Sequence, residues 1–190
     1  MKNKIILVGG YCATGKSTFS RNLSQQLNTP CFNKDTIKEV MGDGFGPESG
    51  EVFEKGSRVT FLLMLHIAEC FLRAGQICIL ESNFKMYEIE EIKTLLGKYN
   101  SECLTFVFKS DLDIVFDRYF ERDHSGERHW VHMSWGALKE SGKDGFKNGM
   151  AEKFGLEKMQ FGQKINVDAT DFKNVDYDGL YDIAKKFKEN

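Results

Sequence analysis

The sequence predicts a three-layer α/β/α fold built on a five-stranded parallel sheet, and two observations carry that prediction. Five short apolar runs alternate with segments of helical period along the chain, and strands separated by helices pair in parallel through right-handed crossovers. A glycine-rich stretch, "GGYCATGKST", follows the first run at positions 9–18. Separately, a polar segment rich in arginine and histidine follows the fourth run. The 190 residues suit a single domain spanning 1–190. With 41% apolar and 28% charged residues the chain can bury a sizeable core, and 16 phenylalanines point to an aromatic one.

The elements follow in order. The apolar run at 4–8 reads as a strand buried on both faces. Lys16 to Leu27 form a helix with Phe19, Leu23 and Leu27 on one side, stopped by Asn28-Thr29-Pro30. "CFN" is a short second strand, and "DTIKEVM" a short helix with Asp35 in the N-cap position. "GDGFGPESG", residues 42–50, holds four of the glycines and one of the two prolines, so it reads as a mobile loop. Glu51 to Ala74 is one long helix, closed by Gly75, in which His66 reads as a core residue. Residues 77–81 are a third strand. "MYEIEEIKTLLGKY" is an amphipathic helix burying Ile89, Ile92, Leu95 and Leu96. Residues 103–108 are a fourth strand, after which Ser110 caps the helix "DLDIVFDRYFER". Residues 123–163 are polar and poorly periodic; "KINVDAT" is the fifth strand and "YDGLYDIAKKF" the closing helix.

Composition narrows the function classes. A net charge of −2 provides no global basic field for nucleic acid. The five cysteines, at 12, 31, 70, 78 and 103, show no C-x-x-C spacing, which favours reduced thiols and a cytoplasmic setting. The N-terminal apolar run is too short for a signal-peptide core, and "FLLMLHIAECFL" is too short and too interrupted to span a membrane.

Gly10-Tyr11-Cys12-Ala13-Thr14-Gly15-Lys16-Ser17 satisfies G-x-x-x-x-G-K-[ST] without a mismatch, in the strand–loop–helix context the motif demands. Gly10 and Gly15 let the backbone turn its N–H groups inward, and a helix start adds positive potential. Cys12, Ala13, Thr14 and Thr18 complete the cradle; Lys16 reaches the β- and γ-phosphates, and the Ser17 hydroxyl is the Mg²⁺ ligand.

On this motif and its setting, the chain resembles the P-loop kinases of the nucleoside-monophosphate-kinase type. It is most similar to the small kinases grouped with AAA-domain ATPases; polynucleotide 5′-kinases, chloramphenicol phosphotransferase and zeta toxins share the pattern. The resemblance implies a P-loop NTPase fold, ATP as the phosphoryl donor and Mg²⁺. It implies that Asp35, after strand two, accepts or orients the proton of an attacking hydroxyl, and that Lys38 helps hold the acceptor. The acceptor then lies between Asp35, the 42–50 loop and the long helix. Glu81 stands where many relatives carry an Asp near Mg²⁺, and either the metal water or the substrate is within its reach. The resemblance also implies a helical lid after strand four, taken as 118–163. Within it Arg118 packs on adenine, Arg122 or Arg128 closes on the transferring group, and residues 169–174 border the base.

Other readings compete. "HWVH" lacks the further ligands a zinc site needs, and Cys12 need not be reactive although a helix start lowers thiol pKa values. A polynucleotide or nucleotide-sugar kinase is a second enzyme reading, and a P-loop NTPase or nucleotide switch without a separate acceptor is a third. The balanced charge argues against a polynucleotide.

Overall fold

A computed structural model of the chain describes residues 2–47, 50–126, 128–132, 142–150, 159 and 161–190. Strand β1 spans Lys4–Gly10, helix α1 Lys16–Leu27, β2 Cys31–Asn33, α2 Lys34–Phe45 and α3 Gly50–Arg73. Strand β3 spans Cys78–Glu81, α4 Met86–Lys98, β4 Glu102–Lys109 and α5 Leu112–His124. A 3-10 turn at Trp130–His132 and a helical segment, α6, at 142–150 precede β5, Gln163–Asp168. A second 3-10 turn, Phe172–Asn174, leads into α7, Tyr177–Glu189.

The five strands are parallel in the order β2-β3-β1-β4-β5. Successive side chains of a strand point to opposite faces, and β1 is apolar because both of its faces are covered. Ile5 and Leu7 join a core with Phe61, Met64 and Ala68 of α3 and Ile89 and Ile92 of α4. Ile6 and Val8 join a second core with Phe19 and Leu23 of α1 and Leu180 and Ala184 of α7. Phe19 is its hub: its ring lies 5.2 Å from Phe106, 5.0 Å from Phe108 and 5.4 Å, stacked, from Tyr181. Each such fully buried side chain contributes roughly 1.5–3 kcal/mol of apolar transfer.

From β1 the chain moves outward to β2, returns to β3 beside β1, and crosses to β4 on the other side. The order therefore reverses at β1, and the crevice for a ligand lies at the carboxyl ends there.

Four details correct the sequence reading. Helix α2 begins one residue before Asp35, and its N-cap is Asn33, whose side chain accepts from the Thr36 amide at 2.9 Å. Residues 42–45 are helical and not loop. Gly42 is there for packing: a Cβ would lie 3.1 Å from Trp130 Cζ2 and 3.3 Å from Val131 Cγ2. The cap of α5 is Asp111, not Ser110, and it accepts from Asp113 and Ile114. His66 is exposed on α3 and not in the core, with Nε2 3.8 Å from Cys70 Sγ. Of the mobile-loop expectation, residues 48 and 49 lie outside the described residues, as do 127, 133–141, 151–158 and 160 of the expected lid.

Candidate active site

The loop after β1 has the backbone of an anion cradle. Gly10, Ala13 and Gly15 all have positive φ, at 135, 54 and 80°. A side chain at Gly10 would collide with the Phe108 carbonyl of β4, so only glycine fits that turn. Thr14 Oγ1 donates to the Tyr11 carbonyl at 2.7 Å, and the Tyr11 amide to the Phe108 carbonyl at 3.0 Å. No side chain caps α1 at Gly15, which leaves the first amides of the helix to face a ligand. Lys16 is buried and donates to the Tyr11 carbonyl, across the mouth of the loop. Burial pulls its ammonium below the usual lysine value, while Glu81, Cys12 and Asp35 support the charge. These donors suit a polyphosphate.

Beside the loop lies a polar cluster that spans three elements. Ser17 of α1 donates to Glu81 Oε2 at the end of β3, at 2.9 Å. The Asn33 amide, ending β2, donates to that same carboxylate oxygen and to Ser17 Oγ at 3.3 Å. Glu81 is only 4% exposed. Burial pushes its carboxyl up to about 7, against the pull of Lys16 and with a further push from Asp35. A hydroxyl and a buried carboxylate side by side at the cradle are hard oxygen donors of the kind Mg²⁺ takes, so Ser17 and Glu81 fit the metal. The sequence carries one signal for Asn33, a strong capping residue three before Thr36.

Asp35 sits in the first turn of α2. With Asn33 acting as the cap, its carboxylate is released from the capping role that the sequence suggested. The turn is held from two sides. Asn33 closes one side, and on the other Lys34 forms a buried ion pair with Glu88 of α4, stacked 5.6 Å from the Phe61 ring. Glu88 also accepts from the Lys85 amide at 2.8 Å.

A cavity of about 740 Å³ opens between α1, the end of β2, α2 and the segment after β4. Ser17, Arg21 and Ser24 of α1, Asp35 and Glu39 of α2, and Arg122, Arg128, His129 and His132 all line it. Among the described residues its walls include none of 42–47 and none of α3; the described lining lies on the α1 side of the expected acceptor position. Lys38 does not line it either; its ammonium donates to the Val131 carbonyl at 3.0 Å. Burial lowers the Lys38 pKa, and Asp35 counters that effect.

Of the expected lid, α5, residues 128–132 and α6 are described. Residues 128–132 are docked on α2. His129 Nε2 meets Asp43 at 2.9 Å, His132 Nε2 meets Glu39 at 3.1 Å, and Trp130 covers Gly42. Burial lowers the His132 pKa, with Asp35 the largest opposing influence. Among the described residues no group of three His, Cys, Asp or Glu could hold a metal ion. Arg128 forms a buried ion pair with Asp123 and lies 4.8 Å from the Tyr119 ring, over which Arg122 also sits at 5.3 Å. Burial, and Arg128 after it, hold Arg122 below its ordinary value.

Arg118 is engaged elsewhere. It donates to the carbonyls of Ala169 and Thr170, each at 2.8 Å, and its guanidinium stacks 4.0 Å from the Phe172 ring. A Cβ on Gly15 would lie 3.3 Å from the same ring. The loop after β5 thus reaches the phosphate cradle through Phe172, a residue that the sequence reading placed only in a zone.

Comparisons with known proteins bear on the fold. Residues 5–140 match the AAA domain family. The chain is similar to a candidate kinase from Chloroflexus aurantiacus, at 25% identity and TM-score 0.82 over 98% of both chains. It is similar in fold to the tunicamycin resistance protein of Deinococcus radiodurans, at 14% identity and TM-score 0.58 over 96% of this chain and 93% of that one. The same holds for a gluconokinase from Sinorhizobium meliloti, at 10% identity and TM-score 0.58 over 97% and 95%. No curated protein matches the sequence. The fold is that of the P-loop kinases of the nucleoside-monophosphate-kinase-like group. No described helix is long and apolar enough to cross a membrane.

Proposed function

Because the chain belongs to the AAA domain family, we propose that it is an ATP-dependent kinase acting on a hydroxyl of a small hydrophilic molecule. One observation carries the reading: Ser17, Asp35, Arg122 and Arg128 all line one cavity of about 740 Å³. A cradle, a free carboxylate and guanidinium groups around a single space are the parts phosphoryl transfer requires.

In this reading the amides of residues 10–17 and Lys16 hold the β- and γ-phosphates, and Ser17 with Glu81 would hold Mg²⁺. The bound metal supplies charge neutralisation on the phosphate oxygens. Asp35 accepts the proton of the acceptor hydroxyl as its oxygen bonds to the γ-phosphorus. The bond from that phosphorus to the bridging oxygen breaks, and ADP leaves. Arg122 and Arg128 stabilise the charge spread over the transferring group, most strongly where water is excluded. Arg118 and Phe172 provide a flat cationic and aromatic border for the base.

The cavity lining also supports the acceptor class. Among the described residues that line it, Phe32 and Ile37 are the large apolar side chains, set among serines, a threonine, carboxylates, arginines and histidines. Such walls suit a molecule with several hydroxyls. The test is ADP formation by purified protein with ATP, Mg²⁺ and a panel of small polyols, alongside Lys16→Ala. ADP release should depend on the acceptor and vanish in the variant. ADP release that ignores every acceptor would make the protein an NTPase, and full turnover by Lys16→Ala would remove the cradle from the chemistry.

A further inference from the structure

Asn33 lies outside the cradle and is not the proposed base, yet its carboxamide is committed at both ends. Its Oδ1 accepts from the Thr36 amide at 2.9 Å, which caps α2. Its Nδ2 donates to Glu81 Oε2 and, at 3.3 Å, to Ser17 Oγ. Since the Ser17 hydroxyl donates to Glu81, it has a lone pair for the Asn33 hydrogen, and the polarity of the triangle is consistent. One side chain thereby joins β2, α1, β3 and the first turn of α2. Asp35 is two residues away in that turn.

We propose that Asn33 is a positioning residue that couples the phosphate and metal side of the site to the proton acceptor on α2. The argument is one of residue chemistry. Asp, Ser or Thr would cap α2 about as well. Only a carboxamide offers an acceptor to the helix and two N–H groups to the opposite side at once. Asp in its place would set a second carboxylate against buried Glu81; Ser would remove the N–H that Ser17 accepts and leave Glu81 with the Ser17 hydroxyl. The Ser17 contact is the longest of the three, so it is the one to respond when Ser17 takes on a ligand. Any such shift reaches Thr36, and with it Asp35, through the same rigid amide.

This inference rests on the kinase reading for Asp35, but the coupling itself can be read without turnover. The first measurement is hydrogen exchange of the α2 amides from Thr36 onward, with and without ADP and Mg²⁺. The wild type should gain protection in that turn on binding nucleotide. At ADP and Mg²⁺ concentrations that saturate both proteins by calorimetry, Asn33→Ser should show no gain. The second measurement is a double-mutant cycle with Asp35→Asn. Asn33→Ser should lower kcat by ~10–100-fold, the range for groups that orient metal-site ligands, with little change in KM for ATP. In the Asp35→Asn background it should add less than about twofold. Equal protection gains in wild type and Asn33→Ser, or full additivity in the cycle, would overturn the coupling. Should Asn33→Ser fail to fold, Asn33→Asp retains the cap and reverses the polarity; wild-type kcat in that variant would equally overturn it. If wild type shows no acceptor-dependent turnover while the exchange difference holds, the kinase reading falls and the coupling stands.

Discussion

Replacing Glu81 by Gln should make the metal-free protein more stable while disabling it. Glu81 is 4% exposed, and its carboxyl is pushed from an ordinary 4.5 up to about 7 by burial. The folded state therefore holds this proton more tightly than the unfolded chain does. A carboxyl raised in this way stabilises the fold fully below pH 4.5, and that stability is lost as pH rises through about 7. At about 1.4 kcal/mol per pH unit the loss approaches roughly 3 kcal/mol above neutrality. Gln keeps an oxygen to accept from Ser17 and Asn33 but never ionises, so it escapes the loss. The assay is denaturant unfolding of wild type and Glu81→Gln in chelator at pH 4.5, 6, 7 and 8.5. The variant's advantage should grow by about 3 kcal/mol across that span, and Mg²⁺ should stabilise wild type more than the variant. Curves that run parallel from pH 4.5 to 8.5 would refute the account of a buried, reluctantly ionised carboxylate.

Asp35→Asn should retain ATP binding and lower kcat by ~10²–10⁴-fold; unchanged kcat in a folded variant would remove Asp35 from the chemistry. Arg118→Ala should raise KM for ATP more than it lowers kcat, because Arg118 holds the Ala169–Thr170 carbonyls and Phe172 rather than lining the cavity; a kcat effect with unchanged KM would assign it to the transferring group instead. Lys34→Met should cost about 3–5 kcal/mol in chemical denaturation by stranding the Glu88 carboxylate in the core, and a loss below 1 kcal/mol would mean that the pair is solvated.

The sheet and the phosphate cradle were legible in the sequence, for different reasons. A strand covered on both faces must be apolar at consecutive positions, and the run at 4–8 announces β1, which extends to Gly10. The cradle motif is legible because its glycines answer a backbone demand, shown by the φ values of Gly10 and Gly15. The end of α2 was not legible. Gly42 and Gly44 carry a loop signal, and only the Trp130 ring, 88 residues away in sequence, turns Gly42 into a packing position. The exposure of His66 is hidden in the sequence because an apolar helix flank need not be a buried one: Leu62 and Leu63 are also exposed, at 43% and 42%. The two functions of Asn33 meet only in three dimensions; the sequence displays the cap but hides the contact with Glu81. The Arg118 contact with Phe172 is likewise tertiary, joining α5 to the loop after β5.

Helix α1 has two flanks with separate obligations. Phe19, Leu23 and Leu27 are bound into the core, whereas Arg21 and Ser24 border the cavity where the acceptor is proposed to lie. On the proposed reading, exchanging Arg21 should alter which molecule fits without removing an apolar contact from the interior, whereas Ser24 also donates to the Thr29 carbonyl at 2.7 Å. If the proposed reading holds, selection, natural or in the laboratory, could move this protein between acceptors by editing one turn of a helix, while the N-terminus of that same helix continues to face the donor.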